Sequence, residues 1–125
     1  MNENEISYKI IGAALEIHKR YGAGLLENAY EKILAYELRE LGFDVKEQLS
    51  LPIQHKDLMI ENAYRIDLIV NNLVIVEVKA IIDLPLISYS QVNTYLKLTD
   101  LKLGILINFH SELLKDGIHR IVNKL

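Results

Sequence analysis

The feature that most constrains the fold is a single change of hydrophobic period near residue 43. Before it, Ile6, Ile10, Ala13, Ile17 and Tyr21 recur at three- and four-residue steps. That spacing gathers side chains on one side of a helix, and it predicts a first helix over about 4–20. Gly22 and Gly24 interrupt the pattern; Leu26, Tyr30, Ile33, Leu34, Leu38 and Leu41 then resume it until Gly42 supplies a stop. Beyond Gly42 the period is two: Phe43, Val45, Leu49, Leu51 and Ile53 share a parity and predict a strand interrupted near Pro52. After a turn near Lys56-Asp57, 64–70 and 74–80 read as two further strands, joined by turn residues Asn71 and Asn72. Residues 86–98 suit a helix opened by Pro85, 103–108 a short apolar strand, and 117–122 a final edge strand. This alternation is an α/β pattern. With 125 residues, half of them hydrophobic, the chain is expected to form one domain over 1–125 around a single core.

Composition narrows the chemistry. The chain has no cysteine, which excludes disulfides, thiolate nucleophiles and cysteine zinc sites, and makes a reducing, cytoplasmic setting the simplest expectation. Any metal must be held by oxygen or nitrogen. The first residues, Met1-Asn2-Glu3-Asn4-Glu5, are acidic and precede no unbroken apolar run, unlike a signal or transit peptide, and no stretch approaches the ~18 apolar residues of a membrane span. The net charge of −3 advertises no overall nucleic-acid face. Only the C-terminal quarter, with Lys97, Lys102, Lys115, His119, Arg120 and Lys124, is locally basic, and a solvated surface explains that cluster equally well.

The informative segment runs from Asp67 to Lys79. On a strand, Glu77 and Lys79 project from one face with Cα atoms about 6.6 Å apart. Whether Asp67 joins them depends on the hairpin register. A two-residue Asn71-Asn72 loop would set Asp67 opposite Val76 and Ile66 opposite Glu77, mixing charged and apolar side chains on both faces. A three-residue loop of Asn71, Asn72 and Leu73 pairs Ile66 with Val78, Leu68 with Val76 and Val70 with Val74. It leaves Asp67 opposite Glu77 and Arg65 opposite Lys79, with opposed Cβ atoms about 5 Å apart. Two carboxylates at that separation repel by roughly 3 kcal/mol at an effective dielectric near 20. A divalent cation offsets such repulsion, and oxygen-only ligation favours Mg²⁺ or Mn²⁺. The alternative is a structural charge cluster of Asp67, Glu77, Lys79 and Arg65, because an Asp followed by Glu-x-Lys is short and built of common residues.

Further segments bear on that choice: Gly24-Leu-Leu-Glu27-Asn-Ala-Tyr30, Glu37-Leu38, Tyr64-Arg65-Ile66-Asp67, Val76-Glu77-Val78-Lys79-Ala80, Gln91-Val-Asn-Thr-Tyr95-Leu96 and Gly104-Ile-Leu-Ile-Asn108-Phe109. Together, in this order from about Ile10 to Val122, they make the chain resemble the GxxExxY protein family, a branch of the PD-(D/E)xK nuclease superfamily. The resemblance implies a restriction-endonuclease-like core, a mixed central sheet flanked by helices. It also implies Asp67, Glu77 and the Val78 carbonyl as metal ligands, Lys79 as the catalytic lysine, Glu27 as an auxiliary acid and Gln91 as a residue orienting water or substrate. Ser88 departs from the histidine expected three residues before that glutamine, which bears on a substrate contact rather than on the metal.

The function expected from this reading is Mg²⁺- or Mn²⁺-dependent hydrolysis of a nucleic-acid phosphodiester by an activated water. Its rival is a catalytically idle nucleic-acid- or protein-binding module on the same fold, acting through a partner or as a homodimer. Other features point elsewhere than chemistry. Gly22-Ala-Gly24 follows a helix rather than a strand and lacks the third glycine of a dinucleotide loop, Tyr30 is read as a core tyrosine, and the four histidines show no metal-ligand spacing.

Overall fold

Asn2 starts the first helix by accepting the Glu5 N–H on its side-chain oxygen (2.9 Å), with Glu3 and Glu5 in the first turn, where the helix dipole favours acids. The computed structural model describes residues 1–125. Its elements are α1 (Glu3–Tyr21), α2 (Glu27–Glu40), β1 (Val45–His55), β2 (Leu58–Val70), β3 (Val74–Lys79), α3 (Leu86–Thr99), β4 (Leu103–Asn108), a short 3₁₀ turn (Leu114–Gly117) and β5 (Ile118–Val122). The helix breaks fall where the glycines predict them. Gly22 caps α1 at φ 72° and Gly42 follows α2 at φ 93°, both in the left-handed region that a side chain disfavours.

The five strands lie in the order β1-β2-β3-β4-β5; β3 and β4 are parallel, and every other neighbour pair is antiparallel. The sheet is therefore mixed, with α3 as the crossover between its parallel strands. One face, carrying Leu68, Val70, Val74, Val76 and Val78, packs against Ile6, Ile10 and Ala14 of α1 and Tyr30 and Leu34 of α2. The other carries Ile66, Ile69 and Ile75 against Tyr95 and Leu96 of α3. The result is the mixed sheet flanked by helices that the family resemblance implied, with two helices on one face and one on the other. No helix is long and apolar enough to cross a membrane.

Two departures matter for the site. First, β2 begins at Leu58, six residues before the expected Tyr64, and pairs with an equally extended β1 through a turn at Lys56. Residues 58–62 are exposed on both faces, so they carry none of the alternation by which a half-buried strand is recognised. Second, β1 does not keep one parity. Val45 belongs to the α1–α2 core and Leu51 to the α3 core, while Leu49 is exposed; on β2, Leu68 and Ile66 divide in the same way. Both strands exchange faces between the pairs Glu47–Leu68 and Leu49–Ile66, where Gln48 adopts φ 52° and Asp67 lies across from it. A residue in the left-handed region rotates the following peptide and so reverses the alternation downstream.

The chain leaving β3 is fixed by Asn108, which is buried at the end of β4 beside Lys79. Its side-chain oxygen accepts the Ile81 N–H (3.1 Å), its amide donates to the Ile81 carbonyl (2.9 Å), and the Phe109 N–H donates to the Lys79 carbonyl (2.8 Å).

Candidate active site

The β2–β3 hairpin has the three-residue loop. Leu68 pairs with Val76, Ile69 with Ile75 and Val70 with Val74, with Asn71 and Asn72 both left-handed at φ 53° and 54°. The regular ladder stops at Leu68–Val76, so the expected continuation through Asp67–Glu77 to Ile66–Val78 and Arg65–Lys79 is absent. Side chains take over at that point. The Val78 N–H donates to Asp67 Oδ2 (2.9 Å), and the Asp67 N–H donates to Glu77 Oε1 (3.3 Å). The two acids thus meet where the strands part, each accepting a backbone donor from the other's strand or residue.

Glu77 is only 5% exposed. Burial, joined by the adjoining Asp67 carboxylate and opposed by Lys79, pushes its carboxyl up to about 9. Tyr95 of α3 approaches the same pair: burial, then the charges of Glu77 and Asp67, push its hydroxyl up to about 12. Lys79 is half-buried at the end of β3, two residues past Glu77 and paired with Asn108 of β4.

Asp67 also opens onto a polar cavity of about 440 Å³ lined by Glu27, Glu31, Lys32, Gln48 and Arg65, with no apolar lining side chain. Glu27 opens α2, is exposed and sits at the rim, whereas Glu31, one turn further, is buried. The Gln48 amide donates to both Glu31 oxygens (2.8 Å each) and to Asp67 Oδ1 (3.3 Å). Burial raises the Glu31 carboxyl above its ordinary range, the Gln48 hydrogen bond opposes this, and the Asp67 charge adds to it. Glu31 and Gln48 were not singled out in the sequence. The signal for Glu31 was present, since it falls on the same helical stripe as the buried Leu34 and Leu38. Gln48 gave no signal, because a left-handed backbone within a strand leaves no mark in a hydrophobic pattern. Gln91 lies on α3 one turn before Tyr95, half-buried, without a side-chain hydrogen bond and outside the lining of this cavity.

Tyr30 serves the fold. Its buried hydroxyl donates to the Gly22 carbonyl and accepts the Leu25 N–H (3.1 Å), and its ring stacks on Phe109 with centroids 4.3 Å apart. It ties the junction between α1 and α2, which in turn sets where Glu27 and Glu31 stand. A larger groove of about 1300 Å³ runs between the outer faces of α1 and α2. It is mostly apolar, and its acids, Glu16 and Glu37, share the lining with Lys9, Lys19, Arg20 and Lys32, whereas the smaller cavity is wholly polar and includes Asp67.

The donor chemistry suits a hard divalent cation. Asp67, Glu77 and Glu31 offer only oxygen, and none of the three forms an ion pair; the salt bridges present join Glu47 to Lys32 (3.1 Å) and Arg39 (2.8 Å). As the side chains stand, no three acidic or histidine residues are drawn together tightly enough to hold an ion, and Asp67 Oδ2 and Glu77 Oε1 accept backbone N–H groups. Among known proteins, the family model described as the PD-(D/E)XK nuclease superfamily matches residues 4–121. Neither a curated protein nor a solved structure gives a significant match.

Proposed function

Because the chain belongs to the PD-(D/E)XK nuclease superfamily, we propose that it is a metal-dependent nuclease that hydrolyses phosphodiester bonds of nucleic acid. The observation that carries this reading is the contact between the Asp67 and Glu77 carboxyls at the point where β2 and β3 part, beside Lys79 and open to a polar cavity. Asp67, Glu77 and the Val78 carbonyl would hold Mg²⁺ or Mn²⁺, the two carboxylates exchanging their backbone N–H partners for the ion. When bound, such an ion polarises a phosphoryl oxygen and lowers the pKa of the attacking water.

The protein's own groups do the rest. Lys79, anchored at the end of β3, orients the water or steadies negative charge developing on the phosphate. Arg65, exposed at the cavity wall, offers a second positive charge to the backbone of the nucleic acid. Glu27 stands at the rim as an auxiliary acid, and Gln91, one turn before Tyr95 on α3, would orient water or substrate. Lys79→Ala tests the assignment. It should abolish cleavage while Mg²⁺ still binds by calorimetry, because the lysine acts on water or phosphate and is not a ligand. A variant that cuts as well as wild type would remove Lys79 from the chemistry.

A further inference from the structure

Every other left-handed residue apart from Gln48 is explained by its surroundings. Lys56, Asn71, Asn72 and Asp100 lie in turns or at a helix end, Lys124 lies at the C-terminus, and Asn62 is an asparagine in β2 beside the register shift at Pro52. Gln48 sits within β1, and glutamine is not among the residues that visit this region readily. Its conformation aims a long side chain across the sheet at two acids on different elements. The direction of the amide is unambiguous: three carboxylate oxygens surround its nitrogen, and only N–H groups can satisfy them.

We propose that Gln48 is a positioning residue, whose amide yokes the Glu31 carboxylate of α2 to Asp67 of β2 so that both are presented together to the divalent ion. This rests on the metal-dependent reading above. Without the amide, two carboxylates would face one another across the cavity with no donor between them, and Glu31 would be free to turn away. With it, the helix and the sheet hold their acids in a fixed relation before any ion arrives, which is how an outer hydrogen bond tunes a metal site.

Gln48→Gly is the discriminating variant, because glycine accepts the left-handed backbone and so removes the amide while preserving the face change of the strand. Gln48→Asn, with an amide one methylene too short to span both acids, gives a second version of the same comparison. Mg²⁺ affinity is measured by calorimetry on chelator-stripped wild type, Gln48→Gly, Glu31→Gln and the double variant. Gln48→Gly and Glu31→Gln should each weaken Mg²⁺ binding by about 10- to 100-fold. The double variant should bind no more weakly than the weaker single one, since Gln48 acts through Glu31. A residue that only steadied the fold would lower the melting temperature without that non-additivity. Wild-type affinity in both Gln48 variants, or losses that multiply in the double variant, would overturn the inference while leaving the nuclease reading intact. No Mg²⁺ binding by wild type would overturn both.

Discussion

Glu77 makes the metal-free protein sensitive to pH in a direction opposite to ordinary acid denaturation. Its carboxyl titrates near the ordinary value of 4.5 when exposed and at about 9 in the fold. Between those values the folded chain therefore holds a proton that the unfolded chain has released. The stability associated with this group is fully present below about pH 4.5 and is lost as pH rises toward 9, at about 1.4 kcal/mol per unit. From about pH 5.5 to about 8.5 the loss amounts to roughly 4 kcal/mol, a large part of a typical domain's ~5–15 kcal/mol. Glu31, also raised, adds in the same direction, whereas Glu47, lowered by its hydrogen bond to Arg39, contributes stability that is constant across this window and is lost only below its ordinary range. Glu77→Gln replaces the protonated carboxyl with a neutral group of nearly the same shape, so most of the slope should vanish and the variant should be the more stable protein at the alkaline end. Urea unfolding of both proteins with chelator present, at several pH values across the window, measures this directly. A wild-type stability that is flat or rising with pH, or an equal slope in Glu77→Gln, would refute the reasoning.

Asp67→Asn should leave the metal-free protein at least as stable as wild type, because the Val78 N–H can still be accepted by the asparagine oxygen while the charge that disfavours ionised Glu77 and Glu31 is lost. Mg²⁺ should raise the melting temperature of wild type and that of Asp67→Asn much less; a clearly destabilised variant with no metal effect on either protein would mean that Asp67 serves the fold. Tyr30→Phe strands the Gly22 carbonyl and the Leu25 N–H, and should cost about 1–3 kcal/mol in chemical denaturation. Gly104→Ala would bring a Cβ to 2.5 Å from Val92 Cγ1, forcing α3 away from β4 at a cost of about 1–3 kcal/mol by the same assay.

The helices and the central strands were legible in the sequence because each buries one regular stripe. Ile6, Ile10 and Ile17 on α1 and the alternation of Leu68 and Val70 against Val74 and Val76 also fixed the hairpin register that brings Asp67 to Glu77. What remained hidden depends on local backbone conformation or on exposure. The residues of β2 before Tyr64 are solvated on both faces and so show no period. The shared parity of Val45 and Leu51 was misleading, because the left-handed Gln48 between them sends their side chains to opposite faces. Glu27 drew attention through its motif and lies at the rim, while the buried acid one turn away, Glu31, is marked in the sequence only by sharing the helical stripe of Leu34 and Leu38. Its membership of the site becomes visible only once β1 folds back and delivers Gln48.

The central claim, a metal-dependent nuclease centred on Asp67, Glu77 and Lys79, is tested most directly by incubating purified wild type and Lys79→Ala with single- and double-stranded DNA and RNA, in Mg²⁺, in Mn²⁺ and in chelator. The account predicts cleavage of at least one of these nucleic acids by wild type only when the divalent ion is present, and none by Lys79→Ala under any condition. Intact substrates throughout, together with no divalent ion bound by wild type in calorimetry, would contradict it and leave the fold as a catalytically idle binding module.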